Sequence, residues 1–227
     1  MRNIIRTFIL PHMAEKPKYF RKLFTSFWLP ALYDLWVWIG VLGHTKKLRE
    51  NILKFIPQHP KVFIDLACGT GENSILLQRA YPASRVLALD LSERMLETAR
   101  KKARKQQCAI EFSVQDATHT NYSAEIADCV TITFALHDLP RTQRKEVLKE
   151  AWKLLKPGGV FIVYDYHYPS NFFVRIPLFI QFFLVENKDA WEMLKENLEL
   201  TLQEAGFRET KKAVYYKGLA QIVAGRK

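Results

Sequence analysis

Carboxylates recur along this chain where short apolar runs give out. Asp65 lies near the end of Val62-Phe63-Ile64-Asp65-Leu66, Asp90 closes Arg85 to Leu89, and Asp116 follows Ala109 to Val114. After the first comes the turn Ala67-Cys68-Gly69-Thr70-Gly71, which opens a helix. Gly69 and Gly71 lack the Cβ that would hold the backbone off a ligand, and the free N–H groups of a helix start can hold an anionic end. A second group able to move protons comes later: His137 and Asp138 after the run Ala127 to Phe134, then Tyr166 and His167 after Val160 to Tyr164. Imidazole titrates near neutrality, so His137 is the candidate general base, with Asp138, Tyr166 and His167 as helpers. The plainer role for His137 is a hydrogen bond at a strand end or a helix cap.

Two ligands compete for the glycine turn. Gly69-x-Gly71-x-x-Ser74 is a near match to the dinucleotide fingerprint, and Asp90 falls near the spacing that fingerprint wants. Asp65, four residues ahead of Gly69, would repel a pyrophosphate but suits an ammonium or sulfonium charge. S-adenosylmethionine carries both. Asp90 could take both ribose hydroxyls of an adenosine, with Leu91 and Met95 flanking the base, although a nicotinamide cofactor would use Asp90 in the same way. Asp116 in isolation reads as a turn cap. The three cysteines, Cys68, Cys108 and Cys129, give neither a disulfide framework nor metal-ligand spacing, which implies a reduced, cytoplasmic setting and no metal.

Strands alternating with helices must bring these strand ends together. The periodicity predicts helices over His44 to Ile56, Gly71 to Ala80, Glu93 to Gln107, Arg141 to Leu155 and Lys188 to Ala205. Ser92 can cap the third of these, whose Met95, Leu96 and Ala99 face inward. Lys156-Pro157-Gly158-Gly159 is a turn signal ahead of the fifth strand. The last strands, near Phe207 to Tyr215 and Leu219 to Ala224, share the short turn Tyr216-Lys217-Gly218 and should be antiparallel. The expected fold is α/β: a Rossmann-like, doubly wound, seven-stranded sheet, mostly parallel, with ligands at the carboxyl ends of its strands.

With 227 residues, the chain has room for one such domain, residues 46–227, and an N-terminal extension, residues 1–45. That extension is aromatic and basic, with Tyr19, Phe20, Arg21, Lys22, Phe24, Phe27, Trp28, Tyr33, Trp36 and Trp38. Pro30 and Asp34 interrupt its apolar run, so it reads as a helical lid, a membrane-contacting surface or both, and not as a spanning helix. No secretory signal is visible at Met1 to Leu10. The net charge of +11 invites an anionic partner, but the excess lies on helical faces such as Arg100 to Lys105 and Arg141 to Lys156. No nucleic-acid module interrupts the fold, so an anionic leaflet is expected and nucleic acid is not. The connector Phe172 to Val185 is too apolar to lie in water, which points to an apolar acceptor.

The run Asp65-Leu66-Ala67-Cys68-Gly69-Thr70-Gly71 resembles the first motif of the class I S-adenosylmethionine-dependent methyltransferases, with Ala67 where many members have glycine. The resemblance extends over Tyr33 to Lys227 and is nearest to the ubiquinone and menaquinone biosynthesis C-methyltransferases. Tyr33-Asp34 looks like their Tyr-Asp pair, Thr131 to Asp138 is similar to their fourth-strand motif including Phe134, and Leu154 to Gly159 matches their approach to the fifth strand. The resemblance implies S-adenosylmethionine as cofactor, adenine contacts from Asp116 and Ala117, and a quinone or lipid-like acceptor at the inner face of a membrane. The family usually has Arg-Asn where this chain has His137-Asp138, which leaves open phospholipid or other small-molecule N- or O-methylation, or a quinone-modifying relative that transfers no methyl.

Overall fold

The computed structural model describes residues 49–169, 171, 175 and 188–227. The N-terminal extension with Tyr33, and the apolar connector Phe172 to Val185 apart from Arg175, lie outside the described residues.

Seven strands form one sheet in the order β3-β2-β1-β4-β5-β7-β6. They are β1 (Val62–Leu66), β2 (Arg85–Asp90), β3 (Ile110–Val114), β4 (Ala127–Thr133), β5 (Leu155–Tyr166), β6 (Arg208–Tyr215) and β7 (Ala220–Arg226). The first five run parallel, and β7 lies antiparallel between β5 and β6. The chain winds outward from β1 to β3 and then crosses back to β4 on the other side of β1. The strand order therefore reverses between β1 and β4, and it is at the carboxyl ends of strands flanking such a reversal that doubly wound sheets take their ligands.

The period of two splits each central strand between two cores. Ile64, Leu66, Val130, Ile132, Phe161 and Val163 bury on one face, under α3 (Arg141–Leu154) and α5 (Leu198–Glu204). Phe63, Cys129, Ile162, Tyr164 and Ile222 bury on the other, with Leu77 of α1 (Glu72–Ala80) and Ile52. The outer strands β3 and β6 are only partly covered, and β6 carries exposed Arg208, Lys211 and Lys212, charges that discourage pairing with another chain.

Several boundaries differ from the sequence reading for identifiable reasons. The helix expected over Lys188 to Ala205 is two, α4 (Lys188–Leu194) and α5, because the Asn197 side chain accepts from the N–H groups of Glu199 and Leu200 and starts a new helix. The turn at Lys156 to Gly159 does not precede β5 but lies inside it as a bulge. Leu155 still pairs with Ala127, pairing resumes at Val160 with Cys129, and Gly158 donates to the Lys227 carbonyl while Lys227 donates to that of Gly159. The helix α2 (Glu93–Lys105) ends earlier than expected, and the described end of the first expected helix tightens to a 3₁₀ turn over Asn51–Phe55.

Gly71 is fixed by packing as well as by backbone. Its φ is +79°, and an added Cβ would lie 2.9 Å from the Ala99 Cβ of α2 and 3.4 Å from the Phe112 ring. The missing side chain thus lets α1 approach α2 and β3, a role the sequence reading had given to a ligand. Gly71→Ala is expected to destabilise the fold by roughly 2–4 kcal/mol, from left-handed strain plus overpacking, as measured by urea unfolding.

Candidate active site

The carboxyl end of β1 is organised by Asp65. In-register pairing sets it beside Thr131 of β4, so the Thr131 hydroxyl donates to Asp65 Oδ1 at 2.7 Å. Asn73 Nδ2 donates to the same oxygen at 2.9 Å, and Ser74 Oγ donates to Oδ2 at 2.5 Å, both from the first turn of α1. Asp65 is wholly buried, and burial raises its pKa against the lowering effect of these donors. All three donors come from the chain itself, so Asp65 acts on the site from beneath by holding the start of α1.

Above it the loop bends through left-handed conformations at Ala67 (φ +50°), Gly69 (+55°) and Gly71 (+79°). Ala67 carries a Cβ where the turn favours glycine, a local strain held by its surroundings. Cys68, within the loop, is buried against Ala88 and Leu96. Burial, then the carboxylates of Asp90 and Asp65, push its thiol well above the usual value, which makes it no nucleophile. The Lys102 ammonium of α2 meets Glu72 Oε1 at 2.6 Å and Thr70 Oγ1 at 3.1 Å, offsetting the negative charge at the start of α1.

Asp90 ties the second strand to this loop. Its Oδ2 accepts the Gly69 N–H at 2.9 Å and its Oδ1 accepts the Ser92 N–H at 2.8 Å. Burial pushes its pKa up to about 6 against the backbone N–H groups of Ser92, Gly69 and Leu91, and the nearby Asp65 carboxylate adds to the rise. Leu91 follows half-buried, and Met95 is buried on the first turn of α2, its N–H donated to the capping Ser92 Oγ at 3.4 Å. Asp116 Oδ1 accepts from the Thr118 N–H at 2.8 Å and hydroxyl at 2.7 Å, the turn-capping role its sequence context suggested. Ala117 is buried in the sheet core beside it.

The proton-handling residues collect at the ends of β4 and β5. Phe134 leaves β4 in a left-handed conformation (φ +48°) unusual for so large a side chain, with its ring 4.5 Å from that of Tyr164 and 5.1 Å from that of Tyr166. His137, buried on the 3₁₀ turn Leu136–Asp138, meets the Tyr166 ring edge-on at 4.8 Å. Its Nε2 is 3.5 Å from Asp138 Oδ1, and its Nδ1 is 2.7 Å from Asp165 Oδ1. His167 is not brought to this cluster by any of its hydrogen bonds. Its Nδ1 pairs with the Gly218 carbonyl at 2.9 Å, its N–H donates to Leu219, and burial lowers its pKa. Asp165 is the residue the sequence reading passed over. A lone carboxylate inside the apolar run Val160 to Tyr166 was its signal, the same one that exposed Asp65.

Residues 63–159 match the family described as a methyltransferase domain. An uncharacterized methyltransferase of Synechocystis sp. is 31% identical over 207 residues, covering 88% of this chain and 91% of that protein. The chain belongs to the class I S-adenosylmethionine-dependent methyltransferases. Within them it lies near the quinone-biosynthesis group: the ubiquinone/menaquinone biosynthesis C-methyltransferase of Rickettsia felis is 29% identical over 212 residues, with 83% of each chain covered. The fold is shared with an S-adenosylmethionine-dependent methyltransferase from Thermotoga maritima, at a TM-score of 0.67 and 21% identity over 87% of this chain and 95% of that one.

S-adenosylmethionine is thus the cofactor of this methyltransferase, and the donor set fits it. Each Asp90 oxygen accepts one backbone N–H, which leaves further lone pairs for hydroxyl donors, and Asn73 Oδ1 is buried with no partner among the described residues. Protonation of Asp90 would cost it acceptor sites. Affinity for S-adenosylhomocysteine should therefore be full above pH 7 and weaken as pH falls through about 6, with Asp90→Asn flattening that dependence in calorimetric titrations. The stability term has the opposite sense: a carboxyl raised in the folded state favours folding most below its unfolded pKa of about 4, and that contribution is lost as pH rises through about 6.

Proposed function

We propose that this methyltransferase acts on an apolar acceptor, a quinone-type ring or another lipid-like molecule. The observation that carries the reading is the enclosure of His137 by Tyr166, Asp138 and Asp165 at the ends of β4 and β5, where the chain passes into the apolar sequence Phe172 to Phe183. Similarity to the quinone-biosynthesis methyltransferase of Rickettsia felis supports it. When bound, S-adenosylmethionine supplies an electrophilic methyl group on a sulfonium sulfur.

The chain's part is to bind, orient and exclude water. Asp90 would accept the ribose hydroxyls, Asp116 and Ala117 would meet the adenine, and Leu91 and Met95 would flank it. The turn from Ala67 through Gly69 to Gly71, fixed from below by Asp65, would carry the methionyl end, with Phe134 beside it. His137 takes the proton that the acceptor loses. The basic, aromatic N-terminal extension rests on an anionic leaflet at the cytoplasmic face and presents the acceptor; nucleic acid is not a partner. No helix among the described residues is long and apolar enough to cross a membrane, so the contact is peripheral in this reading.

Lipid-extract mass spectrometry of a deletion strain against its complemented strain should reveal an accumulating, unmethylated lipid. Purified protein should then transfer label from S-adenosylmethionine to that lipid, and sediment with anionic but not neutral vesicles. Label found only in a water-soluble small molecule, without vesicle binding, would exclude this acceptor class. A salt-sensitive, submicromolar shift with RNA or duplex DNA would overturn the exclusion of nucleic acid.

A further inference from the structure

His137 does not choose its own tautomer. Asp165 is wholly buried in β5, and its carboxylate accepts from four donors: the Leu136 and His137 N–H groups at 3.1 and 3.2 Å on Oδ2, and the Tyr166 N–H at 2.8 Å and His137 Nδ1 at 2.7 Å on Oδ1. Three backbone N–H groups already donate into this carboxyl and make it an acceptor, so the short contact to Nδ1 places the hydrogen on that nitrogen. In the neutral ring the lone pair then lies on Nε2. The edge of Tyr166 fixes the ring plane, and Asp138 Oδ1 stands 3.5 Å from Nε2, too long for a hydrogen bond but close enough to act on its charge. A proton arriving at Nε2 creates an imidazolium between two carboxylates, Asp165 from β5 and Asp138 from the same turn.

We propose that Asp165 is a positioning residue that holds His137 as the Nδ1–H tautomer, so that Nε2 receives the proton shed by the methyl acceptor. The inference rests on the acceptor reading above and narrows it. The acceptor's nucleophilic group must carry a proton that it loses, as the hydroxyl of a hydroquinone or phenol does, and a tertiary amine or thioether does not. In the proton step the acceptor's O–H bond breaks, its electron pair stays on the acceptor, and the proton forms the new N–H bond at Nε2.

Ring ¹⁵N spectra of the full chain, with His137→Gln used to assign the signals, test the tautomer without any acceptor. In the neutral ring Nδ1 should carry the hydrogen and Nε2 should show a bare, pyridine-type signal. Asp165→Asn should move hydrogen to Nε2, while Asp138→Asn should leave the tautomer as it was. An Nε2–H ring in the wild type, or an unchanged tautomer in Asp165→Asn, would overturn the proposal. With the lipid that accumulates in the deletion strain, Asp165→Asn should lower kcat about 100-fold with KM within about twofold and S-adenosylhomocysteine affinity unchanged. A matching loss of S-adenosylhomocysteine affinity would reduce Asp165 to a structural part and also overturn it. Because Asp165 satisfies three backbone N–H groups, His137→Gln, which can still donate to Asp165, serves as the second variant: it should lose the same factor in kcat, and full activity would refute the proton role. If the wild type labels no lipid, the acceptor reading fails, while the ring spectra still decide the dyad.

Discussion

A buried negative charge governs this architecture. Asp65 sits where the strand order reverses, out of reach of water, and its cost is offset chiefly by Ser74, Thr131 and Asn73, which converge on it, with a smaller contribution from the Arg49 charge. Those three donors belong to β4 and α1, so satisfying one carboxylate fixes the relative placement of β1, β4 and the helix that follows β1. Each missing donor would leave a buried acceptor short by about 1–3 kcal/mol, a substantial share of a typical domain's stability. The glycine loop is thereby held from below by Asp65 and from the side by Asp90, and its shape does not depend on the ligand it receives.

The same device is used twice more. Asp90 gathers the Gly69 and Ser92 N–H groups, and Asp165 gathers those of Leu136, His137 and Tyr166. In each case a carboxylate late in a strand satisfies the backbone of the turn beside it and retains oxygens directed at something chemical. Scaffold and site are therefore not separable here. The residues that keep the loops in shape also set the charge and hydrogen-bonding character of the crevice.

Much of this was legible in the sequence, since apolar runs ending in carboxylates encode both strand and strand end. The parallel core, the antiparallel last pair and the Ser92 cap follow from local patterns that tertiary packing leaves intact. Most of what escaped was non-local, the Asn197 cap, two and three residues from its donors, being the exception. Asn197 looks like one more helical residue until its side chain turns back on Glu199, and the Lys156 to Gly159 turn looks terminal until Lys227 is found paired against it. His167 resembles a partner for His137 by adjacency, yet it is tied to Gly218, while the true partner, Asp165, is marked in the sequence only as a carboxylate in an apolar run and meets His137 through the pairing of β5 with β4. Gly71 was legible as a special position, but the neighbour that requires it, Ala99, was not.

The placement of β7 bears on when the site comes into being. β5 is translated well before its antiparallel neighbour, and until β7 slides between it and β6 that side of the strand has no hydrogen-bonding partner. Gln221 of β7 lies opposite Asp165 and donates its side-chain amide to the Tyr166 carbonyl at 2.9 Å. A nascent chain that has emerged through β6 already contains every candidate residue of the cofactor and proton sites, but the tip that carries Asp165 and Tyr166 is then held on its β4 side alone. The order of synthesis thus separates having the parts from having them aligned, and the unfinished enzyme carries an open β-edge at the very strand its chemistry requires.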